Sequence, residues 1–150
     1  MSQEYRHIVR ISGKDIKGSE NLYHGLTYIK GVGQRLASAI IRKLELDPYS
    51  RIGYLDEETV NKIEEIIKDP IAAGIPAWMV NRRRDMYTGK DIHLVGNDLI
   101  FRVNTDIENM KRMMSWKGMR HAWHLKVRGQ RTRSTGRTGL TLGVVKKKKK

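Results

Sequence analysis

The chain of 150 residues has no cysteine. That removes disulfides, thiol nucleophiles and every cysteine-ligated zinc or iron–sulfur centre, and it fits a reducing compartment. Long apolar runs are also missing. The longest stretch without a formal charge, Pro70–Asn81, holds one glycine and two prolines and falls short of the roughly 20 apolar residues that span a bilayer. The first ten residues contain no apolar core of signal-peptide length, so the expectation is a soluble, cytoplasmic protein with no membrane partner. The third scarcity is acid: Glu108 is the last carboxylate, and the 42 residues after it carry 14 Lys and Arg.

The net charge of +14 is therefore one-sided. Residues 1–80 contain 11 basic and 11 acidic side chains, whereas residues 81–150 contain 19 and 5. This division describes a neutral folding half joined to a cationic arm that meets a polyanion. From Lys126 to Lys150 there are ten basic residues, four glycines, five Ser or Thr and five aliphatic residues. So little apolar area cannot offset the entropy of ordering a backbone, and the segment is expected to be extended until a partner encloses it. Arginine, not lysine, dominates before the terminal Lys146–Lys150. The guanidinium fork matches phosphate oxygens in pairs and stacks on bases.

Periodicity gives the elements. Tyr5–Ile11 reads as a short strand or an extended arm. Leu22, Leu26 and Ile29 lie at helical spacing; Lys30-Gly31-Val32-Gly33 interrupts the chain; Leu36, Ile40 and Leu44 resume a helix over 34–44. A third helix starts at the cap Asp56, with Leu55 and Val60 spaced as a hydrophobic staple, and Asp69-Pro70 stops it. Arg82-Arg83-Arg84 is a basic knot. Ile92, Leu94 and Val95 before Gly96-Asn97-Asp98 predict a β-hairpin over 91–99. A longer helix follows, whose stripe Val103, Ile107, Met110 and Met114 is expected to be core.

Few motifs carry chemistry. Gly31-Val32-Gly33 suits a tight inter-helix turn, because glycine accepts positive φ. It also suits a phosphate-contacting turn, with Lys30 and Arg35 beside it and amides at the next helix N-terminus donating to the anion. Dinucleotide and phosphate-loop fingerprints fail: Leu36 stands where the first needs Gly or Ala, and Asp91 follows Lys90 where the second needs Ser or Thr. His121 and His124 are three apart, but cations surround them and no carboxylate follows Glu108, so no metal is expected. No nucleophile, base and orienting group come together, which excludes an enzyme reading and a cofactor. The strong segment is Lys117–Gly139, where Arg, Gln, Thr and Ser alternate with glycine as expected of a chain that folds onto RNA. The expected RNA contacts are Lys117, Arg120, His121, Lys126, Arg128, Gln130, Arg131, Thr132, Arg133 and Arg137.

Gly118-Met119-Arg120-His121, followed by Val127-Arg128-Gly129-Gln130-Arg131-Thr132 and Arg137-Thr138, resembles the signature of the universal small-subunit ribosomal protein thirteen family. Ile11–Ile16, Leu26–Gly33 and residues 99–114 are similar to that family's opening segment, helix–turn–helix and long helix, and residues 71–98 resemble its archaeal–eukaryotic type. The resemblance implies a structural protein of the small-subunit head. It would bind small-subunit rRNA, lie beside small-subunit protein nineteen, bridge to large-subunit components, and reach the P-site tRNA with its tail. The expected fold is mainly α: a helix-two-turn-helix body over 1–70, an insertion with a small β-hairpin over 71–98, a long and a short basic helix over 99–125, and an extended basic tail over 126–150. Two rivals share parts of this pattern. A helix–hairpin–helix repair enzyme needs a catalytic group beside the glycine turn, and a nucleoid-type protein would bind duplex DNA as well as folded RNA.

Overall fold

A computed structural model describes residues 5–135, which leaves Arg137 and the terminal lysines outside. Strands β1, Ile8–Ile11, and β2, Lys14–Lys17, pair antiparallel with Val9 opposite Ile16 and Ile11 opposite Lys14. Ser12 and Gly13 close the two-residue loop, both at positive φ, 47° and 74°, as a primed turn requires. Alternation then directs Val9, Ile11 and Ile16 to one buried face. The Ser12 amide donates to Glu64 Oε1 at 2.6 Å, which fixes the turn against the third helix.

Among the described residues five α-helices follow: α1 Leu22–Thr27, α2 Gln34–Lys43, α3 Glu57–Lys68, α4 Gly96–Arg112 and α5 Trp116–Ala122. Single 3-10 turns lie at Ile52–Tyr54 and Ala77–Met79. The core is aliphatic. Leu22 and Leu26 of α1, Leu36 and Ile40 of α2, and Ile63 and Ile67 of α3 are buried together with Ile11, Ile29 and Ile52. Spacings of four put the two residues of each helix on one face, and burying such a side chain contributes about 1.5–3 kcal/mol. Asp56 caps α3 with extended backbone, and its carbonyl accepts the Val60 amide at 3.1 Å. Leu55 packs against the core cluster, of which buried Val60 is a member.

Two expectations change. The small antiparallel hairpin is at Ile8–Lys17, not at 91–99. Among the described residues, 71–98 contributes one isolated antiparallel bridge, Arg82 with Ile92. Gly96-Asn97-Asp98 is the first turn of α4, because Gly, Asn and Asp favour a helix start as readily as a hairpin turn. The stripe on α4 is not core either. Val103 is 45% exposed, Ile107 and Met110 are half-buried, and Met114 is 70% exposed, at φ 51° beyond the helix end. Periodicity records that a helix forms, and says nothing about which neighbour covers its apolar face. The chain divides into two compact units, Met1–Arg102 and Val103–Lys150, whose boundary falls inside α4.

Candidate nucleic-acid interface

The second unit places much of the predicted RNA segment on and after α5. Ser115 caps this helix: its Oγ accepts the Gly118 amide at 3.2 Å and donates to the Met110 carbonyl at 2.9 Å. Gly118 is buried at a crossing so close that an added Cβ would lie 2.1 Å from Met110 O and 2.6 Å from Lys111 N. The glycine of the signature is thus required by the approach of two backbones. On this seat, Lys117 is exposed while Arg120 and His121 are half-buried. The Arg120 guanidinium stands 5.4 Å from the Trp116 ring centroid, a cation–π distance. Its Nε donates to the Lys126 carbonyl.

Past α5 the chain reverses at His124, which adopts φ 55°, and the Leu125 amide donates to Arg120 O at 2.9 Å. From there the backbone is irregular. Lys126, Arg128, Gln130, Arg131, Thr132 and Arg133 are all exposed. Gln130 Oε1 accepts the Arg128 amide at 3.0 Å, and Thr135 Oγ1 donates to Arg131 O at 2.7 Å. Arg120 and Lys126 are therefore tied together, as are Arg128 and Gln130, whereas Arg137 lies outside the described residues.

The glycine turn belongs to the first unit. Gly31 has φ 104°, and a Cβ there would stand 2.5 Å from Leu94 O and 3.2 Å from Val95 Cα. The molecule's own backbone takes the close approach that glycine permits. Val32 is core, whereas Lys30 and Gly33 are exposed, and an added Cβ on Gly33 meets nothing within 4 Å. The exposed part of the turn is Lys30, Gly33 and the start of α2.

A cluster that the sequence reading passed over surrounds Asp85. Its wholly buried carboxylate accepts Arg82 Nε at 2.5 Å, Arg102 Nη2 at 2.9 and 3.0 Å, and the Thr88 hydroxyl at 3.0 Å. Arg82 first, and Arg102 next, hold this carboxyl well below the usual carboxylate range. Nearby, His93 accepts the Asn81 amide at 3.4 Å on Nδ1, and burial pushes its pKa below the ordinary 6.5. The available signal was the spacing Arg82-Asp85-Thr88, at three and three, which can converge on one carboxylate.

Among the described residues, no helix is long and apolar enough to cross a membrane. The model of the family described as "Ribosomal protein S13/S18" matches residues 10–138. Small ribosomal subunit protein uS13 of Staphylothermus marinus is 56% identical over 148 residues, covering 99% of this chain and 98% of that protein. Its counterpart in Hyperthermus butylicus is 56% identical over 147 residues, covering 98% and 97%, and that of Saccharolobus solfataricus is 51% identical over 148 residues, covering 99% and 90%. These likenesses run the length of both the helical body and the basic segment, and they show that the chain belongs to the ribosomal protein S13/S18 family, whose members are structural and not catalytic.

Proposed function

We propose that this chain sits in the head of the small ribosomal subunit in the cytoplasm and pins small-subunit rRNA with the segment running from α5 into the tail. The observation that carries the reading is the seat of α5. Gly118 and Ser115 lock that helix to the end of α4, and the chain leaves it with Lys126, Arg128, Arg131 and Arg133 exposed and no acid after Glu108. Arg120, on that seat, loses only side-chain freedom when it meets phosphate, whereas the cations beyond it also order their backbone on binding. Gln130 and Thr132 add neutral donors for phosphate or ribose oxygens. The turn at Lys30–Gly33 is a second, smaller phosphate contact. In this reading the neutral body faces small-subunit protein nineteen and the large-subunit bridge components, and the tail extends to the P-site tRNA.

Filter binding of the full chain to a small-subunit rRNA transcript tests the reading. With about six phosphates engaged, log affinity falls with log salt at a slope of roughly −4 to −5. Duplex DNA competes poorly if folded RNA is the target. A nearly flat slope, or equal competition by duplex DNA, refutes the proposal.

A further inference from the structure

The basic knot Arg82-Arg83-Arg84 takes no part in the interface above, yet it lies in a heavily cross-braced loop. Asn81 spans the loop's base: its Nδ2 donates to Leu94 O at 2.7 Å and its Oδ1 accepts the Leu94 amide at 3.0 Å. Arg82 and Ile92 exchange both backbone hydrogen bonds, at 2.9 and 3.3 Å. Nearer the tip, the Asp85 amide donates to Lys90 O at 2.9 Å and the Gly89 amide to Asp85 O at 2.7 Å. Arg84 is held at φ 48°, with its amide donating to Asp91 Oδ1 at 2.7 Å. Inside, the Asp85 carboxylate gathers Arg82, Thr88 and Arg102, and the Arg102 guanidinium lies 4.4 Å over the Tyr87 ring.

The bracing divides the arginines by role. Arg82 is consumed within the loop, its side chain 16% exposed, while Arg83, Arg84 and Lys90 are exposed at the surface. Counting Arg102, five cations meet two carboxylates, so the loop keeps a positive surplus. Its shape is set before any partner arrives, which removes the ordering cost that the tail must meet on binding. Adjacent guanidinium forks suit a strand that offers a charge at every nucleotide. Tyr87, itself exposed at the surface, adds an aromatic side chain to the same loop.

We propose that the Arg82–Asp91 loop is a further RNA site, apart from the tail and the glycine turn: a pre-formed knuckle whose Arg83, Arg84 and Lys90 grip neighbouring phosphates of one RNA strand. It rests on the ribosomal reading for the identity of the polyanion, but not on any contact of the tail.

The test uses the full chain and a transcript of the small-subunit rRNA head domain, with binding measured across a salt series. Arg83→Ala/Arg84→Ala removes two exposed side chains, and circular dichroism confirms that the fold is kept. Losing two phosphate contacts weakens binding roughly thirtyfold at about 0.1 M salt and flattens the salt slope by about 1.5. Asp85→Asn removes a negative charge, raising the loop's net charge by one, while releasing the internal clamp. A pre-formed knuckle then binds more weakly, and tighter binding would overturn the role of pre-organisation. If the double variant binds unchanged while Arg128→Ala/Arg131→Ala is weakened, the knuckle is refuted and the tail reading stands. If neither pair matters, both readings fall. If the double variant keeps rRNA and loses an acidic protein partner instead, the RNA assignment is overturned.

Discussion

Replacing Gly118 with alanine adds one methyl group where two backbones already touch. The new Cβ would stand 2.1 Å from Met110 O, 2.3 Å from Met110 C and 2.6 Å from Lys111 N, whereas ordinary contact begins near 3.4 Å. The two helices must therefore separate by about 1.3 Å at the crossing. Overpacking of this kind costs about 1–3 kcal/mol, and the upper end applies because main-chain atoms cannot rotate aside. Alanine's helical preference over glycine returns about 1 kcal/mol. The net loss is about 2 kcal/mol, roughly a thirtyfold drop in the population with α5 seated. Amide hydrogen exchange reads this directly. Met119, Trp123 and Leu125 donate within and just after α5, to Ser115 O, Met119 O and Arg120 O, and their exchange should accelerate about thirtyfold through local opening. The rRNA affinity should fall alongside, since Arg120 and the tail lose their base. Unchanged or slower exchange in Gly118→Ala would show that the crossing does not hold α5, and the reasoning would fail.

Other outcomes follow from the same geometry. Ser115→Ala removes the only side-chain cap seen on α5 and should cost about 1 kcal/mol, measured by the same exchange experiment. Gly31→Ala combines φ 104° with an approach of 2.5 Å to Leu94 O and should cost about 2 kcal/mol or more in chemical denaturation. Gly33→Ser, open to 4 Å and placed at the α2 N-cap, should be neutral or slightly stabilising. Ile63→Ala, fully buried in α3, should cost about 2–5 kcal/mol in the same assay. Acid should loosen the 81–94 loop in two stages, followed by NMR of its amides. His93 has its pKa depressed in the fold, so its contribution is complete above 6.5 and erodes as pH falls below that value. Asp85 is depressed from 3.8, so its clamp is intact above about 4 and weakens only in stronger acid.

Elements whose apolar faces repeat over ten or more residues were legible in the sequence. Helices α2 and α3 lie where Leu36 and Ile40, and Val60, Ile63 and Ile67, place them, down to the Asp56 cap. The hairpin was misplaced because β2 has four residues, Lys14–Lys17, and buries only Ile16, too little alternation to register as a strand. The stripe of α4 was legible as a helix but not as an exposed one, since exposure depends on neighbours that a local pattern does not encode. Gly118 stood out as part of a signature, and its reason became visible only at the crossing with Met110. Asp85 stayed hidden because an arginine-rich run reads as solvated charge, and only folding brings Arg102 across to it.

The amide of Gly96 donates to the carbonyl of Lys30 at 2.8 Å, and Leu94 lies over Gly31. The bend joining the first two helices is thus also the starting block of the fourth, more than sixty positions downstream. During synthesis the early aliphatic cluster can condense as soon as Ile75 has emerged, but the opening turn of α4 waits for that finished bend. A chain stalled before Leu94 would hold the aliphatic cluster and the bend while lacking the residues that pack over Gly31 and start α4.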